Sequence, residues 1–342
     1  MNLFTRELLG NNKYIKVVVS AVALIAVMAF LNGKSEMSSE NYTFIGRWYD
    51  VCIDGEDYKV TNNLGSEIFF KVNGVNNIVL DWKKYGFTSN AYYCVSIDDG
   101  DLHRLQIGDN TIRLPDTGEH TIRLITDGVN EQIGKWEEGH GFAFGGCNCQ
   151  TQAFTLQKPI IAFYGDSITE GVRALGIDND DMGNTNSATN AFPWYCCEDL
   201  EAVSYRVGYG ATGIETTGSF NSTLMSVRYY YEGTPVDDNI QPDLIVINIG
   251  TNDAPSESFE AGYSQLLDEI HNVYHSNVVC MIPFNQLHIE EIENCVAERE
   301  WCYLVRTDDW DLDYVDGIHP SRVGGRKAGK MLATLIQDMG LL

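Results

Sequence analysis

Residues 160–168 read Ile160-Ile161-Ala162-Phe163-Tyr164-Gly165-Asp166-Ser167-Ile168, an apolar run that ends in Gly-Asp-Ser. A buried strand with this ending presents a serine hydroxyl at the carboxyl edge of a parallel sheet, which is where α/β folds bind ligands. Gly-Asp-Ser is a common tripeptide by itself. It indicates a functional site here because three further segments follow it in the chain: Gly208-Tyr209-Gly210-Ala211-Thr212-Gly213, Gly250-Thr251-Asn252-Asp253 and Asp316-Gly317-Ile318-His319-Pro320.

These four segments contain the groups that acyl transfer by a serine requires: a nucleophile, a base, a group that orients the base, and oxyanion donors. We predict that Ser167 is the nucleophile and that His319 is the base. Asp316 lies three residues before His319, so one tight turn brings its carboxylate to the imidazole Nδ1–H. A carboxylate placed there fixes the histidine tautomer and stabilises the imidazolium that forms during the reaction.

The oxyanion donors are predicted from the strand that precedes Asn252. This residue follows the apolar run 244–249, so its side-chain amide is expected in the same crevice as Ser167. The backbone N–H groups of Ser167 and of the glycine-rich loop 208–213 complete the predicted oxyanion hole. We interpret Asp166 and Asp253 as structural residues that accept backbone N–H bonds.

These blocks give the chain a family resemblance. It resembles the SGNH hydrolases of the GDSL esterase superfamily over residues 158–342, with the serine, asparagine and histidine blocks in the same order. The second block departs from the family, because Val207-Gly208-Tyr209-Gly210-Ala211 has no asparagine and its register is ambiguous. The resemblance therefore implies a backbone oxyanion donor at Gly210 or at Ala211, and both assignments stay open.

Residues 41–157 show short alternating runs instead of helical periodicity. The runs include 67–72, 77–80, 92–97 and 121–125, and turn signals such as Asn73-Gly74 and Asp98-Asp99-Gly100 separate them. This spacing predicts an antiparallel β-sandwich. From Pro159 onward the runs alternate with helical segments, which predicts a mostly parallel sheet in an α/β domain. We expect a linker between Gln150 and Pro159.

The order of the two domains narrows the resemblance. The first domain is similar to the N-terminal jelly roll of carbohydrate esterase family 2, in which a small sandwich precedes an SGNH domain and acetyl groups are removed from polysaccharides. The similar segments are Gly46-Arg47-Trp48, Gly65-Ser66-Glu67-Ile68, Val95-Ser96-Ile97-Asp98 and 117–122. The resemblance implies a jelly-roll-like domain at 41–157 and a three-layer α/β hydrolase domain at 158–342.

The first 40 residues differ in character from the rest. Arg6, Lys13 and Lys16 precede an apolar run from Val17 to Leu31, and a polar linker follows it. The run is shorter than the roughly 20 residues of a spanning helix and close to the upper length of a signal-peptide core. Because no cleavage pattern precedes the linker, we expect an uncleaved anchor in the cell membrane with the catalytic part outside. Cleavage and secretion are the alternative.

The charge and cysteine content of the chain limit which substrates, nucleic acids, membranes and metals it is expected to bind. The formal net charge of −25 repels nucleic acid and anionic lipid headgroups, and it favours a neutral substrate such as an acylated sugar over a polyanion. The nine cysteines are an odd number without zinc-binding spacing, and most are interpreted as isolated buried thiols. The acidic run Asp178-Asn179-Asp180-Asp181 lacks the spacing of a calcium loop. No cofactor or metal is expected.

The sequence thus predicts a serine esterase that acts on O-acyl groups, above all O-acetyl groups, of carbohydrates or other small esters. A lipid or thioester hydrolase and an acyltransferase with the same residues are alternatives within the fold. A glycan-binding module on an inactive SGNH scaffold is the alternative in which the protein is not an enzyme. The oligomeric state, the sugar and the acyl length stay open.

Overall fold

The structure is a computed structural model of the 342-residue chain. It describes residues 38–130, 136, 138–218, 223–231, 234–236 and 240–342. The predicted anchor or signal segment, within residues 1–37, lies outside the described residues. Of the helices that the structure describes, none combines the length and the hydropathy that a membrane span needs.

The N-terminal part consists of short antiparallel strands, as the alternating pattern predicts. We call it the sandwich. Its strands are β1 (Thr43–Ile45), β2 (Tyr49–Ile53), β3 (Glu56–Thr61), β4 (Glu67–Val72), β5 (Asn77–Tyr85), β6 (Ala91–Ile97), β7 (His103–Gln106), β8 (Thr111–Arg113), β9 (His120–Val129), β10 (Gly141–Cys147) and β11 (Thr151–Gln152).

Two sheets form the sandwich. One has the order β1-β4-β9-β6-β7 with β11 also paired to β4, and the other has the order β2-β3-β10-β5-β8. Their inner faces meet in an aromatic core, where the rings of Trp82 and Tyr93 lie 4.7 Å apart and Phe144 packs edge-on against Trp82. Such pairs bury large apolar areas in favourable ring geometry, so they stabilise the contact between the sheets.

The C-terminal part alternates strands and helices, and we call it the α/β domain. Its strands are β12 (Ile160–Gly165), β13 (Val203–Gly208), β14 (Tyr229–Tyr231), β15 (Thr234–Pro235), β16 (Leu244–Asn248), β17 (Asn277–Met281) and β18 (Cys302–Val305). Its helices are α1 (Ser167–Glu170), α2 (Met182–Thr185), a 3-10 turn (Ala188–Asn190), α3 (Phe192–Asp199), α4 (Thr223–Arg228), α5 (Phe259–Tyr274), α6 (Ile289–Ala297) and α7 (Arg322–Asp338).

Five of these strands form a parallel sheet in the order β13-β12-β16-β17-β18. Its strands are almost fully buried because helices cover both faces: α5 and α6 pack on one, α3 and α7 on the other. The strand order reverses next to β12, so the crevice between the carboxyl ends of β12 and β16 is the topological switch point. Ser167 follows β12 and Asn252 follows β16, which places both blocks at this crevice.

Buried charges join the sandwich to the α/β domain. The fully buried carboxylate of Asp127, on β9, accepts hydrogen bonds from Ser187 Oγ at 2.9 Å and from the N–H and Oγ1 of Thr189 at 2.8 Å. Arg104 Nε donates to the same carboxylate at 2.5 Å. The Arg104 guanidinium also donates to the carbonyls of residues 183, 184 and 186. The segment 183–189 is therefore held by the sandwich.

The chain between the two parts differs from the predicted linker. Residues 151–152 form β11, antiparallel to β4, and the N–H of Ala153 donates to the Glu40 carbonyl at 2.8 Å. A strand of two residues is too short for its alternation to be visible in the sequence. By contrast, the predicted strand 67–72 is β4 with the same bounds. All nine cysteines lie within described residues as free thiols, and only Cys52 is exposed.

We expect Asp127→Ala to lower the free energy of unfolding by about 3–5 kcal/mol, because it leaves Arg104 and the hydroxyls of Ser187 and Thr189 without their buried acceptor. Chemical denaturation measures the change. The control is Asp50→Ala, which removes an exposed partner of Lys59 and should cost less than about 1 kcal/mol. Equal effects of the two substitutions would contradict the anchoring role of Asp127.

Candidate active site

Ser167 lies at a tight turn between β12 and α1. Asp166 caps the helix through its Oδ1, which accepts the N–H of Ile168 at 2.9 Å. Gly165 must lack a side chain, because a Cβ there would lie 2.0 Å from Thr169 Oγ1 and 2.7 Å from the Asn248 carbonyl oxygen. This close approach lets the helix start directly at the strand end. Ser167 is consequently half-buried at the carboxyl edge of the sheet.

The Asp316–His319 turn forms as predicted from its spacing. Asp316 Oδ1 accepts the N–H groups of Ile318 at 3.1 Å and His319 at 2.8 Å, while Oδ2 lies 2.8 Å from His319 Nδ1. The turn is closed by a hydrogen bond from the Val315 N–H to the His319 carbonyl at 2.9 Å. The imidazole is thereby held in one orientation, with Nε2 directed away from Asp316.

The structure brings Ser167, His319 and Asp316 together although 152 positions separate the serine and the histidine. His319 Nε2 lies 2.9 Å from Ser167 Oγ, and His319 Nδ1 lies 2.8 Å from Asp316 Oδ2. A nucleophile within hydrogen-bond reach of a base, with the base oriented by a carboxylate, is the geometry of a catalytic triad.

Arg173 is a further member of this site that the sequence argument missed. Its Nη1 donates to Asp316 Oδ2 at 2.5 Å, and its backbone N–H donates to Asn186 Oδ1 at 2.9 Å. Arg173 has a left-handed φ of +58°, which is rare for a residue with a side chain. The available signal was that Arg173 is the one basic residue between Lys158 and Arg206.

These contacts fix the charge of Asp316. Partial burial raises the pKa of Asp316, but hydrogen bonds from the His319 N–H, the His319 imidazole and the Arg173 guanidinium outweigh it and hold the pKa well below its usual range. Hydrogen bonds to the ionised form have this effect because they stabilise the charge. Asp316 is therefore a carboxylate throughout the neutral range.

Asn252 reaches the crevice, where its amide already has protein partners. Its Nδ2 donates to the Thr212 carbonyl at 3.0 Å and to Asp166 Oδ2 at 3.2 Å. Burial raises the pKa of Asp166 to about 7, with the bond from the Ile168 N–H acting in the opposite direction. Partial protonation of Asp166 near neutral pH reduces the negative charge beside Asn252. The oxyanion role of Asn252 stays a prediction. It requires one of these two hydrogen bonds to be replaced by a hydrogen bond to the oxyanion.

The second block is positioned by Asp253, which is structural as interpreted from the sequence. Its carboxylate accepts the N–H groups of Ile214 at 2.7 Å and of Glu215 and Thr216 at 2.9 Å. Within this loop Gly210 is buried, whereas Ala211 is exposed with a left-handed φ of +56°. Neither N–H donates to another group among the described residues, so the choice between Gly210 and Ala211 as oxyanion donor stays open.

A small pocket adjoins the serine. It has a volume of about 220 Å³, and its walls come from the residues after β12, β16 and β17 and from the histidine loop. The lining residues are Ile168, Thr251, Asn252, Phe284, Asn285, Tyr314, Gly317 and Ile318. Among the residues that the structure describes, no group of three or more His, Cys, Asp or Glu side chains is placed to hold a metal ion.

The comparisons with known proteins agree with this geometry. Residues 163–327 match the model of the GDSL-like lipase/acylhydrolase family, and this range contains Ser167, Asn252, Asp316 and His319. Residues 163–327 thus form a GDSL-like lipase/acylhydrolase domain. We call it the hydrolase domain from here on. No curated protein matches the sequence.

Solved structures extend the likeness to the sandwich. A family two carbohydrate esterase from Clostridium thermocellum, in complex with cellohexaose, matches with a TM-score of 0.71 and 19% identity, covering 88% of this chain and 100% of that one. An acetyl xylan esterase from Butyrivibrio proteoclasticus matches with a TM-score of 0.69 and 14% identity, covering 90% and 98%. At this identity the likeness establishes the two-domain fold.

The same fold also occurs in an acyl-transferring protein. The salicylyl-acyltransferase SsfX3 from a tetracycline biosynthetic pathway matches with a TM-score of 0.63 and 12% identity, covering 88% of this chain and 96% of that one. The fold therefore does not decide by itself between water and another acceptor.

We expect the stability advantage of the wild type over Asp316→Asn to depend on pH. Because the folded-state pKa of Asp316 is depressed, the stabilisation of about 1–3 kcal/mol is complete above the ordinary aspartate pKa of about 4 and is lost as the pH falls further. Urea denaturation of both proteins at pH 7, 5, 4 and 3 measures the difference. A difference that stays constant over this range would contradict the ionic role of Asp316.

Proposed function

We propose that this protein is a serine esterase that hydrolyses O-acyl esters, above all O-acetyl esters, on carbohydrates. The observation that carries the proposal is the hydrogen-bonded series Ser167 Oγ–His319 Nε2 and His319 Nδ1–Asp316 Oδ2 at 2.9 and 2.8 Å. It lies at the switch point of the hydrolase domain, beside a pocket of about 220 Å³.

In the proposed reaction, Ser167 Oγ attacks the ester carbonyl while His319 Nε2 takes the serine proton. The tetrahedral oxyanion is stabilised by the backbone N–H of Ser167, by Gly210 or Ala211, and by Asn252. His319 then gives its proton to the sugar oxygen as the carbon–oxygen bond breaks. Water attacks the acyl-enzyme, again with His319 as base, and releases the carboxylic acid and the free serine.

Asp316 stabilises the imidazolium in both steps, and Arg173 holds Asp316 in place. The bond from Arg173 occupies the same oxygen, Oδ2, that faces His319 Nδ1. Arg173 thus restricts the carboxylate to the orientation that serves the histidine. As a cation, it also weakens the attraction of Asp316 for the imidazolium, so its contribution is one of position rather than of charge.

Two observations favour a short acyl group on a sugar. The pocket volume of about 220 Å³ is below the roughly 300–1,000 Å³ of sites for drug-sized ligands, so it suits an acetyl group better than a long acyl chain. The similar structures include an acetyl xylan esterase and an esterase bound to cellohexaose, and a shared two-domain fold supports a related substrate here.

An acyltransferase is the second candidate, and the likeness to the salicylyl-acyltransferase favours it. Both reactions begin with the same acyl-enzyme on Ser167 and differ in whether water or another acceptor receives the acyl group. A lipid or thioester hydrolase fits less well, because the pocket beside Ser167 is small. A glycan-binding module without activity fits less well too, because the serine, histidine and aspartate are intact and in hydrogen-bond contact.

We expect Ser167→Ala to abolish hydrolysis of 4-nitrophenyl acetate and of acetylated xylan, since loss of a triad nucleophile lowers turnover on the order of a million-fold. Ser89→Ala, which alters another half-buried serine in the sandwich, is the matched control and should keep full activity. Substantial activity of the Ser167 variant would show that the nucleophile is a different residue.

The same assay distinguishes between the candidate functions of esterase, acyltransferase and binding module. An esterase should prefer acetyl to butyryl and octanoyl nitrophenyl esters and should release acetate from xylan at the rate at which ester is consumed. An acyltransferase should consume ester slowly in water and faster when sugar acceptors are added, with the acyl group found on the acceptor. Inactivity of the wild type on every ester would leave the binding module as the remaining function.

We also propose that the enzyme acts outside the cell membrane, either anchored or secreted, because of the basic start and the apolar run Val17–Leu31. In fractionated cells, mass spectrometry of the N-terminus should find the intact chain in the membrane fraction, with the esterase accessible to external protease. A mature soluble form that starts near residue 30–40 would indicate secretion. Full-length protein in the cytosol would contradict both.

A further inference from the structure

The first half of α7 carries an isolated group of cations on a very acidic protein. Arg322, Arg326 and Lys330 are spaced four residues apart, so they lie on one face of the helix, about 6 Å apart along its axis. With Lys327 they contribute four of the 23 basic residues of a chain that has 48 acidic ones. All four side chains are exposed.

These cations line a cleft together with polar and aromatic side chains. The cleft, which we call the α7 cleft, has a volume of about 780 Å³ between α7 and the start of α3. Asn190 and Tyr195 form its opposite wall, where Tyr195 OH donates to Asn190 Oδ1 at 3.1 Å and the Arg326 guanidinium lies 5.8 Å from the centre of the Tyr195 ring. A half-exposed ring beside amide and guanidinium groups suits a sugar.

Most of this positive charge is not neutralised by the protein. Lys327 lies 3.8 Å from an Asp311 carboxylate oxygen. Within the described part of the chain, no carboxylate lies within 4 Å of the charged groups of Arg322, Arg326 or Lys330. The protein therefore keeps three unpaired cations together in one concave surface while the rest of its surface is predominantly acidic, which creates a local attraction for anions.

The α7 cleft begins next to the catalytic loop. Arg322 is three residues after His319, and its N–H donates to the Ala174 carbonyl at 2.7 Å, next to Arg173 of the active site. From there the cations run away from the site along the helix. The Arg322 end of the α7 cleft is therefore the end beside this loop, and a chain-like substrate with its ester at Ser167 would enter the cleft there.

We propose that the α7 cleft is a subsite for the carboxylate groups of an acidic polysaccharide, one that carries uronic acid residues as well as acyl esters. This inference rests on the proposed function and names the substrate class more closely. It revises the expectation of a neutral substrate, because net charge describes the mean field of the whole surface and not the local field in a cleft.

The net charge of the protein favours an acidic glycan over more densely charged polyanions. Double-stranded DNA carries roughly one negative charge per 1.7 Å of helix axis, and the net charge of −25 repels it. The same net charge repels a continuous anionic membrane surface. A polysaccharide with a carboxylate on some of its sugars needs only a few cations and gains from the polar and aromatic wall.

The test compares acetylated oligosaccharides that differ only in the presence of a glucuronic acid side group. Because the side group adds one carboxylate and each exposed ion pair contributes a factor of about two to five in affinity, the wild type should have a kcat/KM about two- to fivefold higher on the acidic substrate at low salt. The variant R322Q/R326Q/K330Q should bring this ratio close to one. Added salt should do the same in the wild type, since it screens exposed charges.

The control variant is K83Q/K84Q/R113Q, which removes three exposed cations from the sandwich and makes the same change in net charge. It should keep the wild-type ratio. If both triple variants lower the ratio equally, the effect is one of net charge and the subsite does not exist. Circular dichroism and thermal unfolding of each variant establish that it is folded.

A binding experiment separates this proposal from the proposed function. Calorimetry with Ser167→Ala and an acidic oligosaccharide without acetyl groups should show binding that R322Q/R326Q/K330Q removes, whether or not the wild type hydrolyses esters. Absence of binding together with acetylesterase activity would overturn the subsite alone. Tighter charge-dependent binding of an oligonucleotide or of phosphatidylglycerol vesicles than of the glycan would overturn the assignment to polysaccharide.

Discussion

The buried carboxylate of Asp127 is the constraint on which the arrangement of the two domains depends. A fully buried charge is tolerated only when hydrogen bonds and a counter-charge surround it, and here the partners come from Arg104 and from the segment 187–189 of the other domain. The backbones also meet closely, because a Cβ on Gly128 would lie 2.4 Å from the carbonyl oxygens of residues 183 and 186. Any shift of the sandwich would leave these groups unsatisfied.

This contact is connected to Asp316 and His319 through Asn186. Its Nδ2 donates to the Val129 carbonyl of the sandwich at 2.9 Å, and its Oδ1 accepts the Arg173 N–H at 2.9 Å. Arg173 in turn donates to Asp316, which orients His319. The sandwich thus contributes to the site by fixing the loop that supplies Arg173. That connection gives a physical reason for a packing domain beside a hydrolase domain.

Two carboxyl groups near Ser167, those of Asp316 and Asp166, have pKa values that are shifted in opposite directions. Hydrogen bonds keep Asp316 ionised, while burial raises the pKa of Asp166 to about 7 and reduces the negative charge beside Asn252. The two carboxyls therefore differ in charge: Asp316 is ionised beside His319, and Asp166 carries less negative charge beside Asn252. On the outer surface, Arg322, Arg326 and Lys330 of α7 have no carboxylate within 4 Å among the described residues, although the chain as a whole is strongly acidic.

The sequence by itself determined the features that depend on local spacing. The run that ends at Gly165, the turn from Asp316 to His319, the strand 67–72 and the order of the domains follow from patterns of a few residues. Tertiary structure decided the rest, because it depends on contacts between distant positions. Arg173 and Asp316 are 143 positions apart, Asp127 finds its partners on the other domain, and Asn252 is held by Asp166 and Thr212. The cations of α7 form a cleft only because α3 packs beside them. These contacts are visible only in the folded structure, because the spacing of residues along the chain does not predict which distant charged and amide side chains come into contact.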